Sequence, residues 1–253
     1  MSSRPFFIGW AKPPKELRFF LVMVCVVCPV VFFVAAYVAA ATQNDPGSGA
    51  FRFDWGPLTL KGVLQAEPYP VLHVIEGDRG TAGQSIMLSG VGKRGVMDRA
   101  SALDGALVEA TGIMLTRGNL LMMQVRANET GLVQVEDSPA ADPPSREDLG
   151  TWQLTGEICD GKCYAGAMRP GTGLAHKACA NLCIAGGTPP VFVATGPVDG
   201  AHFFLMGDKD GKPLDIDTLK TWTALRVTLS GTITRNGTMP VLATDLSTVE
   251  LAR

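Results

Sequence analysis

The sequence predicts a mainly β protein: an N-terminal transmembrane helix followed by two small β-barrels, the second carrying a Cys/His-rich insertion. Three observations carry that prediction. Phe19 to Ala41 is an uncharged run of 23 residues. Beyond it, the chain is cut into short alternating segments by turn formers, with 29 Gly and 17 Pro among 253 residues. Those segments also repeat, so that an arrangement seen in the first half returns in the second.

The apolar run makes a helix about 35 Å long at ~1.5 Å per residue, enough to span a hydrocarbon core of about 30 Å. Arg4, Lys12, Lys15 and Arg18 against Glu16 give the head +3, so of the total charge of −2 the remainder carries −5. A basic flank stays cytoplasmic and the bulk crosses. The expectation is a single-pass protein of the cell inner membrane, with 1–18 cytoplasmic, 19–41 spanning the bilayer and the C-terminal domains periplasmic. A cleaved signal peptide competes, since Ala39-Ala40-Ala41 offers a small-residue site. The long apolar run and its 18-residue polar head favour an uncleaved anchor. Cys25 and Cys28 within the run read as small apolar side chains rather than a redox pair.

Residues 42–57 and 137–150, rich in Gly, Pro and Asp, read as linkers. They bound a first β domain at 58–136 and a second at 151–253. Leu60-Lys61-Gly62-Val63-Leu64 parallels Leu154-Thr155-Gly156-Glu157-Ile158, Leu88-Ser89-Gly90 parallels Leu205-Met206-Gly207, and stretches from Gly112 and Gly231 close the copies. One interval disagrees: the second copy holds about 26 extra residues after its first strand. Trp152, Leu154, Gly156 and Ile158 alternate with polar residues, the period of a half-buried strand. Asn119 after Gly118, and Asn236-Gly237, are hairpin turns. One short helix is expected in each copy, over Met97–Leu103 and Leu214–Trp222. Five strands with a helix between the third and fourth resemble the OB-fold, a Greek-key barrel. The resemblance is one of fold, with no named family attached. It implies, by analogy, a barrel face able to bind a ligand through Tyr69, Phe192, Phe203 and Phe204.

The extra residues, an insertion at 159–187, hold Cys159, Cys163, His176, Cys179 and Cys183. A helix over Leu174–Ala185 stops at Gly186-Gly187. Its turn places His176, Cys179 and Cys183 within one stripe about 60° wide. With Cys163 these residues make a tetrahedral Cys3His metal set, for which Cys159 and Met168 are alternates. Zinc fits such ligands best, copper and an iron–sulfur cluster less well. Disulfides among Cys159, Cys163, Cys179 and Cys183 are the competing reading, as an oxidising compartment favours them.

Several function classes drop out. The chain is 18% charged with a sequence pI near 5.9, which gives no basic patch for nucleic acid. Ser89-Gly90-Val91-Gly92-Lys93-Arg94-Gly95 lacks the phosphate-loop spacing and reads as a turn. No catalytic set is present at a recognisable spacing, so the chain reads as a non-enzyme before an enzyme, with a place as a subunit of an oxidoreductase complex left open. The low charge suggests covered surface. Together these features suggest a non-catalytic subunit or assembly partner of a larger, redox membrane complex, contacting other subunits and the lipid bilayer. A metal carrier or electron-transfer protein, and a ligand-binding module, are the alternatives.

Overall fold

The computed structural model describes residues 13–42, 46–135 and 144–252. It forms two units, one ending at Asp45 and the other running from Pro46. In the first, Lys15–Ala41 make one α-helix (α1) with Pro14 at its N-cap. It starts ahead of Phe19 because Lys15, Glu16, Leu17 and Arg18 are all good helix formers. Its described residues are all unburied, and it is long and apolar enough to cross a membrane, as an anchor or a signal sequence does. Arg4 and Lys12 of the basic head lie outside the described residues.

The second unit contains two five-stranded barrels. The first uses β1 (Leu58–Gln65), β2 (Val71–Glu76), β3 (Ser85–Ser89), the short α2 (Met97–Ala100), β4 (Leu107–Arg117) and β5 (Leu120–Val125). The strand order β1-β2-β3-β5-β4 closes back onto β1. All pairs are antiparallel except β3 with β5, which run parallel with Met87 opposite Met122. The second barrel repeats this order with β6 (Arg146–Asp160), β7 (Pro190–Val198), β8 (Ala201–Gly207), β9 (Arg226–Asn236) and β10 (Met239–Thr244). Here β8 and β10 are the parallel pair, with Leu205 opposite Val241. The insertion joins β6 to β7 and contributes α3 (Lys177–Ala185), while α4 (Ile216–Trp222) lies between β8 and β9. This is the strand order of an OB-like barrel, formed twice.

The shared glycines explain why the copies look alike in sequence. A Cβ on Gly62 of β1 would lie 2.1 Å from the His73 carbonyl oxygen, and one on Gly156 of β6 would lie 2.2 Å from that of Val193. Each first strand thus meets its neighbour where only Gly fits. β6 opens at Arg146, earlier than a linker ending at Gly150 implies, because Arg146 to Asp148 still pair with Asn236 to Thr234 of β9.

Each barrel has its own apolar interior, around Leu60, Leu72 and Met114 in the first and around Phe192, Phe204 and Leu229 in the second. A third core lies between the barrels. It draws Tyr69, Met87, Leu115 and Met122 from one and Cys159, Phe203, Leu205 and Val241 from the other. These strands therefore bury both faces, and β3 is buried at every residue. The expected aromatic ligand face is corrected by the same finding: Phe192 and Phe204 fill a barrel interior, and Tyr69 and Phe203 fill the seam.

A polar latch fastens the seam's far end. Ser85 N donates to Thr238 Oγ1 at 2.7 Å, and Thr238 N donates to Ser85 Oγ at 2.9 Å. His73 lies inside the latch, with Nδ1 at 2.8 Å from Ser85 Oγ and Nε2 at 3.1 Å from Gln65 Oε1. A neutral ring with its proton on Nε2 donates to Gln65 Oε1, and the Ser85 hydroxyl lies between Nδ1 and the Asn236 carbonyl, 3.2 Å away.

Burial lowers the His73 pKa to about 4. In the unfolded chain the ring titrates near 6.5, so acid protonates the unfolded state first. The latch's contribution is complete above about pH 6.5 and is lost as pH falls toward 4, on the order of 3 kcal/mol in all. Urea titrations from pH 7 to 4 should show this decline, and His73→Gln should flatten it. In the shared core, Leu205→Ala should cost about 2–5 kcal/mol, read as a lower denaturation midpoint.

Candidate metal centre

Three chain segments converge beside the seam. The first is the end of β6 and the turn after it, which carry Asp160, Lys162 and Cys163. The second is α3, which carries Cys179 and Cys183. Lys177 fixes this helix by donating to the carbonyls of Thr221 and Thr223 at the end of α4, at 2.8 and 3.0 Å. The third is the first barrel's 90–95 turn, after β3, which carries Lys93.

The sulfur atoms of Cys163, Cys179 and Cys183 all lie within 4.8 Å of one another. Cys163 and Cys183 are buried and Cys179 is half-buried. Thiolates about 2.3 Å from one tetrahedral ion stand roughly 3.8 Å apart, so this spacing suits a single ion. Asp160, Cys163 and His176 form a second group within the same limit, all buried. Asp160 has a partner on each oxygen there: Oδ1 accepts from Cys163 N at 2.8 Å and Oδ2 lies 2.9 Å from His176 Nε2. A carboxylate holding one ring nitrogen is the usual support of a metal-binding His.

The four expected ligands thus meet as two groups that share Cys163, rather than as one tetrahedron. The reason is local. His176 sits at the N-cap of α3, on a preceding helical turn over Leu174–His176, so the regular helical stripe does not extend to it. Cys159 joins neither group. It faces the seam core and its Sγ contacts Glu157 Oε1 at 3.3 Å. Burial, then the Glu157 charge, push its thiol well above the ordinary value. Met168 is 44% exposed and lines a cavity of about 180 Å³ together with Cys163, Arg117 and Arg169. The six cysteines are unbridged in this structure. Cys159, which that alternative used as a staple, is turned into the seam instead.

Two lysines complete the centre, and no spacing rule in the sequence announced either. Lys93 Nζ stands 2.6 Å from Cys179 Sγ and 3.6 Å from Cys183 Sγ. Lys162 is 3% exposed and donates to the Gly90 and Gly92 carbonyls at 2.6 and 2.8 Å, pinning the turn that carries Lys93. The sulfurs are electrostatically unequal. A hydrogen bond from Cys163 lowers the Cys183 thiol, with the Lys93 charge adding to it, while the same bond raises Cys163. The pair's proton is therefore held more firmly on Cys163, and Cys183 is the more readily ionised sulfur. Such an arrangement favours soft metal ions, which release the remaining proton on binding.

Comparisons with protein-family models, with curated proteins and with solved structures each returned no match.

Asp160 organises the centre, so its removal should be felt in stability before any ion is added. Asp160→Ala leaves two buried donors without an acceptor, at about 1–3 kcal/mol each. Chemical denaturation of the reduced, chelator-treated protein should register a loss of roughly 2–5 kcal/mol. A loss below half a kcal/mol would show that His176 and Cys163 find other partners.

Proposed function

We propose that this chain is a membrane-anchored metal-binding protein whose globular unit holds one thiolate-bound ion, zinc or monovalent copper, on the exported side. It works without catalysis of its own, as a metal carrier or as an accessory subunit of a larger, redox membrane complex. One observation carries the metal reading: three cysteine sulfurs, one from the turn after β6 and two from α3, lie mutually within 4.8 Å in a largely buried wall. Thiols that merely filled a core would have no reason to face one another. The ligands are Cys163, Cys179 and Cys183, with His176 flanking them on the Asp160 side.

The anchor rests on α1 and on the positive head before it. The accessory role rests on what the centre lacks as a catalyst. Its carboxylate–histidine pair is buried, with Asp160 accepting from Cys163 N and paired with His176.

Elemental analysis with free-thiol counting tests the metal reading. The detergent-purified, reduced chain should hold about one ion per chain, and Cys179→Ser should lose most of it while folding normally. Metal-free protein with its three thiols reduced and reactive would overturn the assignment. Washing membranes at alkaline pH tests the anchor: the chain should stay with the lipid, and its release would overturn that part alone.

A further inference from the structure

Lys93 and Cys179 stand closer than their charges require. Hydrogen bonds from nitrogen to the smaller oxygen already span about 2.9–3.0 Å, and a bond to sulfur is longer. The 2.6 Å between Lys93 Nζ and Cys179 Sγ is the separation of a nitrogen and a sulfur joined through one oxygen atom. The rest of the seam holds the two side chains there. Lys162 clamps the 90–95 turn through the Gly90 and Gly92 carbonyls. Gly95 N donates to the Gly186 carbonyl at 2.8 Å. A Cβ on Gly186 would stand 1.9 Å from the Lys93 carbonyl oxygen, so turn and helix end touch backbone to backbone. Lys93 is exposed and Cys179 half-buried, which leaves the pair open to small oxidants.

We propose that Lys93 and Cys179 form a covalent, reversible nitrogen–oxygen–sulfur bridge under dioxygen, and that this bridge closes the metal centre. The last clause rests on the metal-binding reading; the bridge itself does not. The step balances with one dioxygen. The Lys93 amine and the Cys179 thiol each lose one hydrogen, one oxygen atom is inserted between nitrogen and sulfur, and the other leaves as water. Nitrogen and sulfur each give up two electrons, and dioxygen takes all four. Two equivalents of a dithiol return four electrons and four protons, restoring amine and thiol and releasing the bridging oxygen as water. Once bridged, Cys179 no longer offers a thiolate, and the Lys93 stem lies across Cys183, whose sulfur is 3.6 Å from Nζ. Ion uptake then waits on reduction. Cys183 is the nearest competing thiol, but it is buried where Cys179 is half-exposed.

Mass spectrometry of the full-length chain in detergent, kept in air and then digested with trypsin, tests the bridge directly. The expected product joins the peptide 80–94, uncut after Lys93, to the peptide 178–209. Its mass is their sum with one oxygen gained and two hydrogens lost, and fragmentation places the link on Cys179. Dithiothreitol should abolish it, as should Lys93→Arg, which keeps the charge, and Cys179→Ser. Lys93 cleaved normally, with Cys179 found as a disulfide or a sulfinic acid, would overturn the proposal. Zinc uptake by the same samples separates the two readings. Air-treated wild type should lose most of its uptake and regain it after dithiothreitol. A bridge found in a chain that takes up no zinc or monovalent copper when reduced would sink the metal reading and leave the bridge standing.

Discussion

The first barrel's 90–95 turn enters the second barrel's insertion so closely that a Cβ on Gly95 would lie 2.0 Å from the Gly187 carbonyl oxygen. This backbone-to-backbone contact, with the Lys162 clamp beside it, sets the position of Lys93 over the sulfurs. Lys162 is buried, and desolvation lowers its pKa; the two carbonyls it holds are what make its burial tolerable, since a buried ammonium without acceptors is costly. The clamp, the glycines and the third apolar core act together. Remove the close approach and Lys93 loses its place over the sulfurs, while the seam loses its polar seal.

The seam also gives the low charge a physical meaning. A chain with 18% charged residues has either an apolar surface or surface that is covered. Here much of the uncharged strand surface is covered from within, because β3, β8 and β10 present one face to a barrel interior and the other to the neighbouring barrel. Low charge thus counts for internal burial before it counts for other subunits. The reading of an accessory subunit leans more on the anchor and on the character of the centre.

How far the sequence could be read follows from where each signal resides. The barrels were legible because their signals are local: alternating apolar residues, hairpin glycines and a repeated Gly at the same strand position, as at Gly62 and Gly156. The two short helices were legible for the same reason, Asp215 capping α4 through Thr218 N at 2.8 Å. The Cys179 and Cys183 pair was legible as neighbours one helical turn apart. The Asp160 partner of His176, sixteen positions away, was beyond helical arithmetic, which knows nothing of such a contact. Lys93 was out of reach altogether. It lies 86 positions from Cys179, in a turn whose glycine-rich pattern reads only as a turn. The aromatic face failed for a related reason: period-two alternation assigns one face inward, and only the docked second barrel shows that the other face is inward as well.

A centre assembled from both barrels couples ligand chemistry to their association. An ion held by Cys163 and α3 strengthens the second barrel's insertion, and that insertion is the surface on which the 90–95 turn rests. Whatever binds the closed seam and not the opened one stabilises the closed form by mass action. The reverse holds with equal force: a seam drawn open carries Lys93 away from the sulfurs and changes the charge that any incoming ion meets. On the metal-binding reading, ion loading and barrel docking bias one another through Lys93, the first barrel's contact with the sulfurs. A protein that must hold an ion in one circumstance and surrender it in another has in such a seam the element that both events bias.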